Sequence, residues 1–146
     1  MKQKGVGLGL AGLAVVAALW IGRDPKPAQT VAAGAAAGDG PVETVAVTLP
    51  DLTGDAAIGQ KVFAANCASC HGPRAGGIDG SGPPLVHAYY VPGHHGDAAF
   101  FSAAERGVRA HHWPYGDMPP ISNVTRAEVA AAIAFVRKVQ RENGIF

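Results

Sequence analysis

The stretch ANCASCHGPRAGG, residues 65–77, contains both cysteines of the 146-residue chain. Cys67 and Cys70 stand three positions apart, and His71 follows the second cysteine directly. Positions i, i+3 and i+4 lie on one face of a helical turn, so a helix here would project two thiols and an imidazole together. The spacing therefore predicts a single chemical unit built from three side chains.

A Cys-x-x-Cys pair has three common uses: a disulfide, a redox dithiol and half of a zinc site. A zinc site would need two further ligands, and the chain has no third cysteine. A disulfide that closes so small a loop stabilises little, and no βαβ pattern of a thioredoxin-like fold is visible. The added histidine favours another use, because Cys-x-x-Cys-His is the attachment pattern of c-type haem.

Met118 is the one methionine away from the amino terminus, and it lies in the proline-flanked loop YGDMPPI. A lone methionine usually fills a core, but this polar loop position favours a ligand role. An iron held by His71 and Met118 would have a raised reduction potential and no open position for oxygen or substrate. The pair therefore predicts one-electron transfer rather than an enzyme.

Three helices are predicted after residue 51. Asp55 and Asp97 are each placed to cap a helix, and Thr125 forms a capping box with Glu128. The predicted spans are 56–66, 98–106 and a third helix that begins at Thr125; Gly107 and Gly144 mark helix ends. The apolar positions expected to face the core are Ile58, Val62, Phe63, Phe100, Phe101, Ala104, Val129, Ile133, Val136 and Val139. Such a core is thin, and a cofactor would fill part of the interior.

The amino-terminal third has a different composition. Residues 5–22 form an uncharged apolar run after Lys2 and Lys4. A cleaved signal peptide and a membrane helix both fit this pattern; without a small-x-small cleavage site we favour an uncleaved anchor over 1–23. The early lysines would keep the amino end cytoplasmic. Residues 24–50, rich in Ala, Gly and Pro, are predicted as a flexible tether, with a weak strand at 42–47 as the alternative.

Charge is balanced in the predicted folded domain, residues 51–146. It contains eight acidic and eight basic residues, so its formal charge is zero with neutral histidines. This segment contains no basic patch that would predict binding to nucleic acid, and no run of like charges that would predict an acidic or basic tail.

The order CASCH (67–71), GPPL (82–85), GDMPP (116–120) and a terminal amphipathic helix resembles class I c-type cytochromes, of the monohaem, membrane-anchored bacterial type. The resemblance implies an all-α fold with crossing first and last helices and long loops that enclose one haem c, attached through Cys67 and Cys70. It implies His71 and Met118 as iron ligands and Pro83 as the residue whose carbonyl orients His71. Gly59, Phe63 and Phe135 match the crossing helices. Trp113 and Tyr115 are expected at the haem edge or against a propionate, with core packing as the alternative.

Such a protein would carry electrons between membrane-associated redox complexes, a donor and an acceptor, from the bacterial inner membrane with its haem domain facing the periplasm. One alternative is a fixed electron-entry subunit of a larger oxidoreductase. Another is a copper-binding or sensing protein, because residues 87–112 are unusually rich in histidine for this family. That region holds His87, His94, His95, His111 and His112.

The histidine-rich region has several interpretations. A histidine there could replace Met118, contact a propionate, bind a second metal such as copper, or simply lie on the surface. Adjacent histidines diverge on a helix or strand, so His94–His95 and His111–His112 are poor chelates on their own. We expect a metal site only if the fold joins one residue of each pair.

Overall fold

The computed structural model describes residues 41–146. In this part the chain forms four α-helices, α1 (Gly54–Asn66), α2 (Ala68–His71), α3 (Asp97–Arg106) and α4 (Arg126–Glu142), and a 3-10 helix at Ala88–Tyr90. Pairing between extended segments within these residues is limited to isolated bridges. The described part of the chain is therefore helical, as predicted.

The predicted membrane anchor, residues 1–23, lies outside the described residues. Within residues 41–146, no helix combines the length and the apolar character needed to cross a membrane.

Helices α1 and α4 make the closest packing of the fold, and they cross at Gly59. A β-carbon at Gly59 would lie 1.8 Å from the carbonyl oxygen of Ala131, which is inside van der Waals contact. Only glycine allows the two backbones to approach this closely, and this offsets its low helix propensity. Beside the crossing, the rings of Phe63 and Phe135 lie 5.2 Å apart, and both are buried. The predicted crossing of the first and last helices is confirmed.

Helix α4 begins with the predicted capping box. The backbone N–H of Glu128 donates to Thr125 Oγ1 at 3.3 Å, and the backbone N–H of Thr125 donates to Glu128 Oε2 at 2.7 Å. The helix ends at Glu142, and Gly144 follows with φ of 74°. Both ends of α4 are therefore set by local sequence signals.

Two predicted helix starts are wrong by one or two residues. Helix α1 begins at Gly54, so Asp55 lies in its first turn instead of capping it. Helix α3 begins at Asp97, with Gly96 as its cap residue. The carboxylate of Asp97 accepts a hydrogen bond from Arg137 Nε at 2.8 Å, a contact with α4 that no local pattern contains.

The apolar side of α1 is narrower than its sequence suggests. Phe63 is buried and Val62 packs partly against the core, but the side chain of Ile58 is 58% exposed. The position next to it, Gly59, carries the buried contact because it faces α4. Because glycine has no side chain, it does not register in a pattern of apolar residues. The apolar pattern of α1 therefore could not show that the buried face of the helix passes through Gly59.

A buried polar pair on α4 fixes the loop before α3. Arg137 donates to the carbonyl oxygens of Tyr90 at 2.5 Å and His95 at 2.7 Å, and to Gln140 Oε1 at 2.7 Å. Gln140 in turn donates to the carbonyl of Leu85 at 2.7 Å. These bonds satisfy loop carbonyls that have no helix or strand partners, and they hold the loop in one conformation.

Residues 43–48, predicted as the end of a flexible tether, are packed on the domain. The backbone N–H groups of Thr44 and Val45 donate to Gly77 and Gly76 at 3.0 and 2.9 Å. The carboxylate of Glu43 is buried and accepts from Arg74 Nε at 2.7 Å. The tether prediction is therefore wrong for these residues. Their partners lie far along the chain, 31 positions away for Glu43 with Arg74 and 95 for Thr48 with Asn143. Residues 24–40 lie outside the described part.

We predict that Gly59→Ala lowers the free energy of unfolding of the purified protein by about 1–3 kcal/mol, because the added methyl group forces α1 away from α4. Denaturant unfolding measures this change. Gly93→Ala is the matched control, since a β-carbon at Gly93 meets no atom within 4 Å. Equal stability of the Gly59→Ala variant and the parent would contradict the close crossing.

Candidate functional site

The helices and loops enclose an apolar cavity of about 520 Å³. Its wall includes Phe63 of α1, Phe100 of α3 and Val136 of α4. All seven residues predicted for the site line this one cavity: Cys67, Cys70, His71, Pro83, Trp113, Tyr115 and Met118. The fold thus brings together residues that are up to 51 positions apart in sequence, as Cys67 and Met118 are.

The two cysteines and His71 stand on a tight turn directly after α1. The backbone N–H of Cys67 donates to the Phe63 carbonyl at 2.8 Å, which ends α1. The N–H groups of Cys70 and His71 then both donate to the Cys67 carbonyl, at 3.2 and 3.0 Å. This turn puts the three side chains on the cavity wall, as the i, i+3, i+4 spacing predicts.

Both thiols are free in the structure. Burial, and secondarily the negative charge of an ionised Cys70, raise the pKa of the Cys67 thiol to about 11. Cys67 is therefore protonated at neutral pH, which does not favour its use as the reactive thiolate of a redox dithiol.

His71 is oriented by the loop that follows the turn. Its Nδ1 lies 2.9 Å from the carbonyl oxygen of Pro83. A carbonyl only accepts, so Nδ1 carries the proton and Nε2 keeps a free lone pair for a metal. Burial lowers the pKa of His71, and the bond to Pro83 partly opposes this shift. The imidazole is thus held neutral, in the protonation state that a metal ligand requires.

Met118 is held by a two-bond backbone pairing with Val108. Each N–H donates to the other residue's carbonyl, at 2.9 Å from Val108 and 2.8 Å from Met118. Gly107 permits this pairing: its φ is 73°, and a β-carbon there would lie 2.4 Å from the Met118 carbonyl oxygen. The thioether therefore enters the cavity from a fixed backbone position and not from a free loop.

Among the described residues, Trp113 Nε1 is the one buried side-chain nitrogen or oxygen atom that has no hydrogen-bond partner. Burial raises the pKa of Tyr90, and the nearby indole N–H of Trp113 partly offsets this rise. The Tyr90 hydroxyl is thus close to Nε1, but their geometry falls short of a hydrogen bond. Tyr115 stacks on the indole with ring centroids 5.9 Å apart. Since an unsatisfied buried donor costs about 1–3 kcal/mol, this N–H points to an acceptor supplied by a bound group.

The family model described as Cytochrome c matches residues 56–140 of the chain. This chain belongs to the cytochrome c family. Membership implies a covalently attached haem c, and the chain offers only Cys67 and Cys70 to hold it. The family indicates electron transfer rather than catalysis. No curated protein sequence matches the chain closely enough to count as a relative.

The residues of this cytochrome fit the haem. The cavity is lined mainly by apolar side chains, both thiols are free, and His71 presents a neutral nitrogen. The unpartnered N–H of Trp113 matches the carboxylate of a haem propionate. The individual roles of these seven residues stay predictions, which the cavity supports by placing them together.

Sequence reasoning missed Arg137 and Gln140, which position the cavity loops from α4. Both fall on the buried face of the helix, at i+4 and i+7 from Ile133. Polar residues within an apolar stripe are a usable signal, because a buried polar side chain must have partners. The signal predicts that Arg137 and Gln140 have partners, but it does not say which carbonyls they bind.

We predict that Trp113→Phe raises the pKa of a haem propionate by about one to two units, because a charged carboxylate loses a hydrogen bond worth about 1.5–3 kcal/mol. The haem reduction potential of the variant then depends on pH over a range in which the parent's does not. Potentiometric titration from pH 5 to 8 tests this. Identical profiles for parent and variant would show that the indole serves packing alone.

Proposed function

We propose that this cytochrome is a one-electron carrier whose haem is bound by thioether links to Cys67 and Cys70 and ligated by His71 and Met118. When bound, the haem supplies a reversible one-electron couple. The observation that carries the proposal is that His71 and Met118, the pair of iron ligands that the sequence favours, line the same apolar cavity.

The protein's own residues would set the properties of the couple. The Pro83 carbonyl fixes the His71 ring and leaves Nε2 as its donor nitrogen. The apolar wall excludes water, and a neutral histidine with a thioether favours the reduced iron, so we expect a high potential. If His71 and Met118 both held the iron, no position would be left for substrate, which favours a carrier over an enzyme.

We further propose that residues 1–23 anchor the carrier in the bacterial inner membrane and that the haem domain faces the periplasm. The apolar run behind Lys2 and Lys4 supports this orientation. A tethered domain would meet donor and acceptor complexes at high local concentration. The balanced charge of residues 51–146 gives little electrostatic steering, so we expect a weak salt dependence of electron exchange.

A free carrier and a fixed electron-entry subunit predict different behaviour on extraction. A carrier leaves the membrane in mild detergent without a stoichiometric partner and reduces a soluble acceptor. A fixed subunit copurifies with its complex in constant ratio. Size-exclusion chromatography monitored at the haem absorbance separates the two; a constant-ratio complex would overturn the carrier proposal.

We predict that Met118→Ala lowers the haem reduction potential and opens one iron position, so that added cyanide binds the variant but not the parent. Voltammetry and absorbance titration measure the two effects. Val108→Ala is the matched control, because Val108 lines the same cavity and pairs with Met118 only through its backbone. An unchanged potential in the Met118→Ala variant would refute the ligand assignment.

A further inference from the structure

Three histidines outside the predicted haem ligands converge at one place in the fold. His94, His95 and His112 each offer a ring nitrogen, and these atoms all lie within 4.8 Å of one another. We call them the histidine triad. His94 and His95 lie in the turn before α3, and His112 lies in the loop before Met118. The fold brings His94 and His112 together although they are 18 positions apart in sequence.

The triad joins His112 of one adjacent pair to the other pair, as the sequence analysis requires of a metal site, and it also includes both His94 and His95. His94 and His95 diverge only if they lie on a regular helix or strand. Here both backbone N–H groups donate to the carbonyl of Val91, at 3.0 and 2.9 Å, which folds the segment into a turn. The turn brings the two rings to a centroid separation of 4.5 Å.

The neighbouring structure fixes the triad. His95 Nδ1 lies 2.5 Å from the Tyr89 carbonyl, so this nitrogen carries the proton and Nε2 keeps its lone pair. The Arg137 side chain donates a hydrogen bond of 2.7 Å to the His95 carbonyl oxygen. The ring of His112 stacks on Tyr89 at 4.4 Å. A metal-binding histidine is commonly oriented in this way, by a carbonyl bound to its second nitrogen.

The spacing within the triad matches a tetrahedral metal. Nε2 of His94 and Nε2 of His112 lie 3.4 Å apart. Zinc–nitrogen bonds of about 2.0–2.1 Å place tetrahedral ligands about 3.3–3.4 Å from each other. The third nitrogen lies within 4.8 Å, a distance that small ring rotations close. The charge of Arg137 is paired with Asp97 at 2.8 Å, so it does not oppose a cation strongly.

We propose that the histidine triad binds one divalent transition-metal ion of the class that prefers imidazole, Zn²⁺ or Cu²⁺. His94 is exposed, so the ion exchanges with solvent and keeps a fourth position for water. His95 and His112 also line the haem cavity, which places the ion at the cavity rim. This metal site goes beyond electron transfer and uses none of the predicted iron ligands.

The test uses the full-length holoprotein in its oxidised form, purified with an affinity tag that contains no histidine. Zn²⁺ and Cu²⁺ are titrated separately by calorimetry, and bound metal is counted after dialysis. His94→Gln and His112→Gln each remove one triad nitrogen. His111→Gln is the matched control, because His111 adjoins His112 but its Nδ1 is bonded to the Arg109 carbonyl at 2.9 Å and it lies outside the triad.

We expect one ion per chain in the parent and in His111→Gln, with Cu²⁺ bound more tightly than Zn²⁺. Each triad variant should bind roughly 100-fold more weakly or worse, since even removal of an outer hydrogen-bond partner costs about 10- to 100-fold. An unchanged haem spectrum shows that a variant is folded, and the exposed His94 makes His94→Gln the safer of the two.

No saturable binding of either ion in the parent would overturn the proposal and favour a propionate or surface role for these histidines. Equal weakening in His111→Gln and His94→Gln would overturn it as well. Because the readout is metal content, a negative result leaves the electron-transfer proposal standing. Failure of electron transfer would not affect the metal count.

Discussion

The close crossing of α1 and α4 at Gly59 is the contact on which the rest of the molecule depends. It lets two helices from opposite ends of the described chain share one interface, with Phe63 and Phe135 packed beside the crossing point. Helix α1 ends one residue before Cys67, so the crossing also sets where the cysteine turn begins. The position of the two thiols therefore follows from a contact made by a residue without a side chain.

The loops pack against the crossed helices α1 and α4 and complete the cavity, and a few hydrogen bonds to the backbone hold each loop. The Glu43 carboxylate braces the loop after the cysteine turn, Arg137 and Gln140 hold the segment from Leu85 to His95, and the pairing with Val108 presents Met118. A domain with so little helix keeps a defined cavity because these polar contacts are nearly all satisfied. The Trp113 N–H stands apart from them, as expected where the missing acceptor belongs to the cofactor.

Local signals in the sequence were sufficient for much of this. The Thr125–Glu128 capping box, the glycine ends of α3 and α4 and the Cys67–His71 spacing each depend on residues within a few positions of one another, so a pattern can reveal them. The seven predicted site residues come from three short stretches, around Cys67, Pro83 and Met118, and the fold brings these stretches to one cavity.

Contacts between distant residues could not be predicted in this way. Asp97 pairs with Arg137 forty positions away and so does not cap its own helix. Ile58 is exposed because the buried face of α1 passes through Gly59. The turn that joins His94 and His95 is held in place by Arg137 of α4. Thr44 and Val45 are packed because the carbonyls of Gly77 and Gly76 accept their N–H groups. In each case the deciding partner comes from another part of the chain.

The proposed function requires one haem that is joined to the protein through both sulfurs of the cysteine turn. Mass spectrometry of the tryptic peptide 62–74, from protein made in a host that matures c-type cytochromes, tests it most directly. We expect a peptide carrying one haem in which neither cysteine reacts with an alkylating reagent. A haem-free peptide with both thiols alkylated would contradict it.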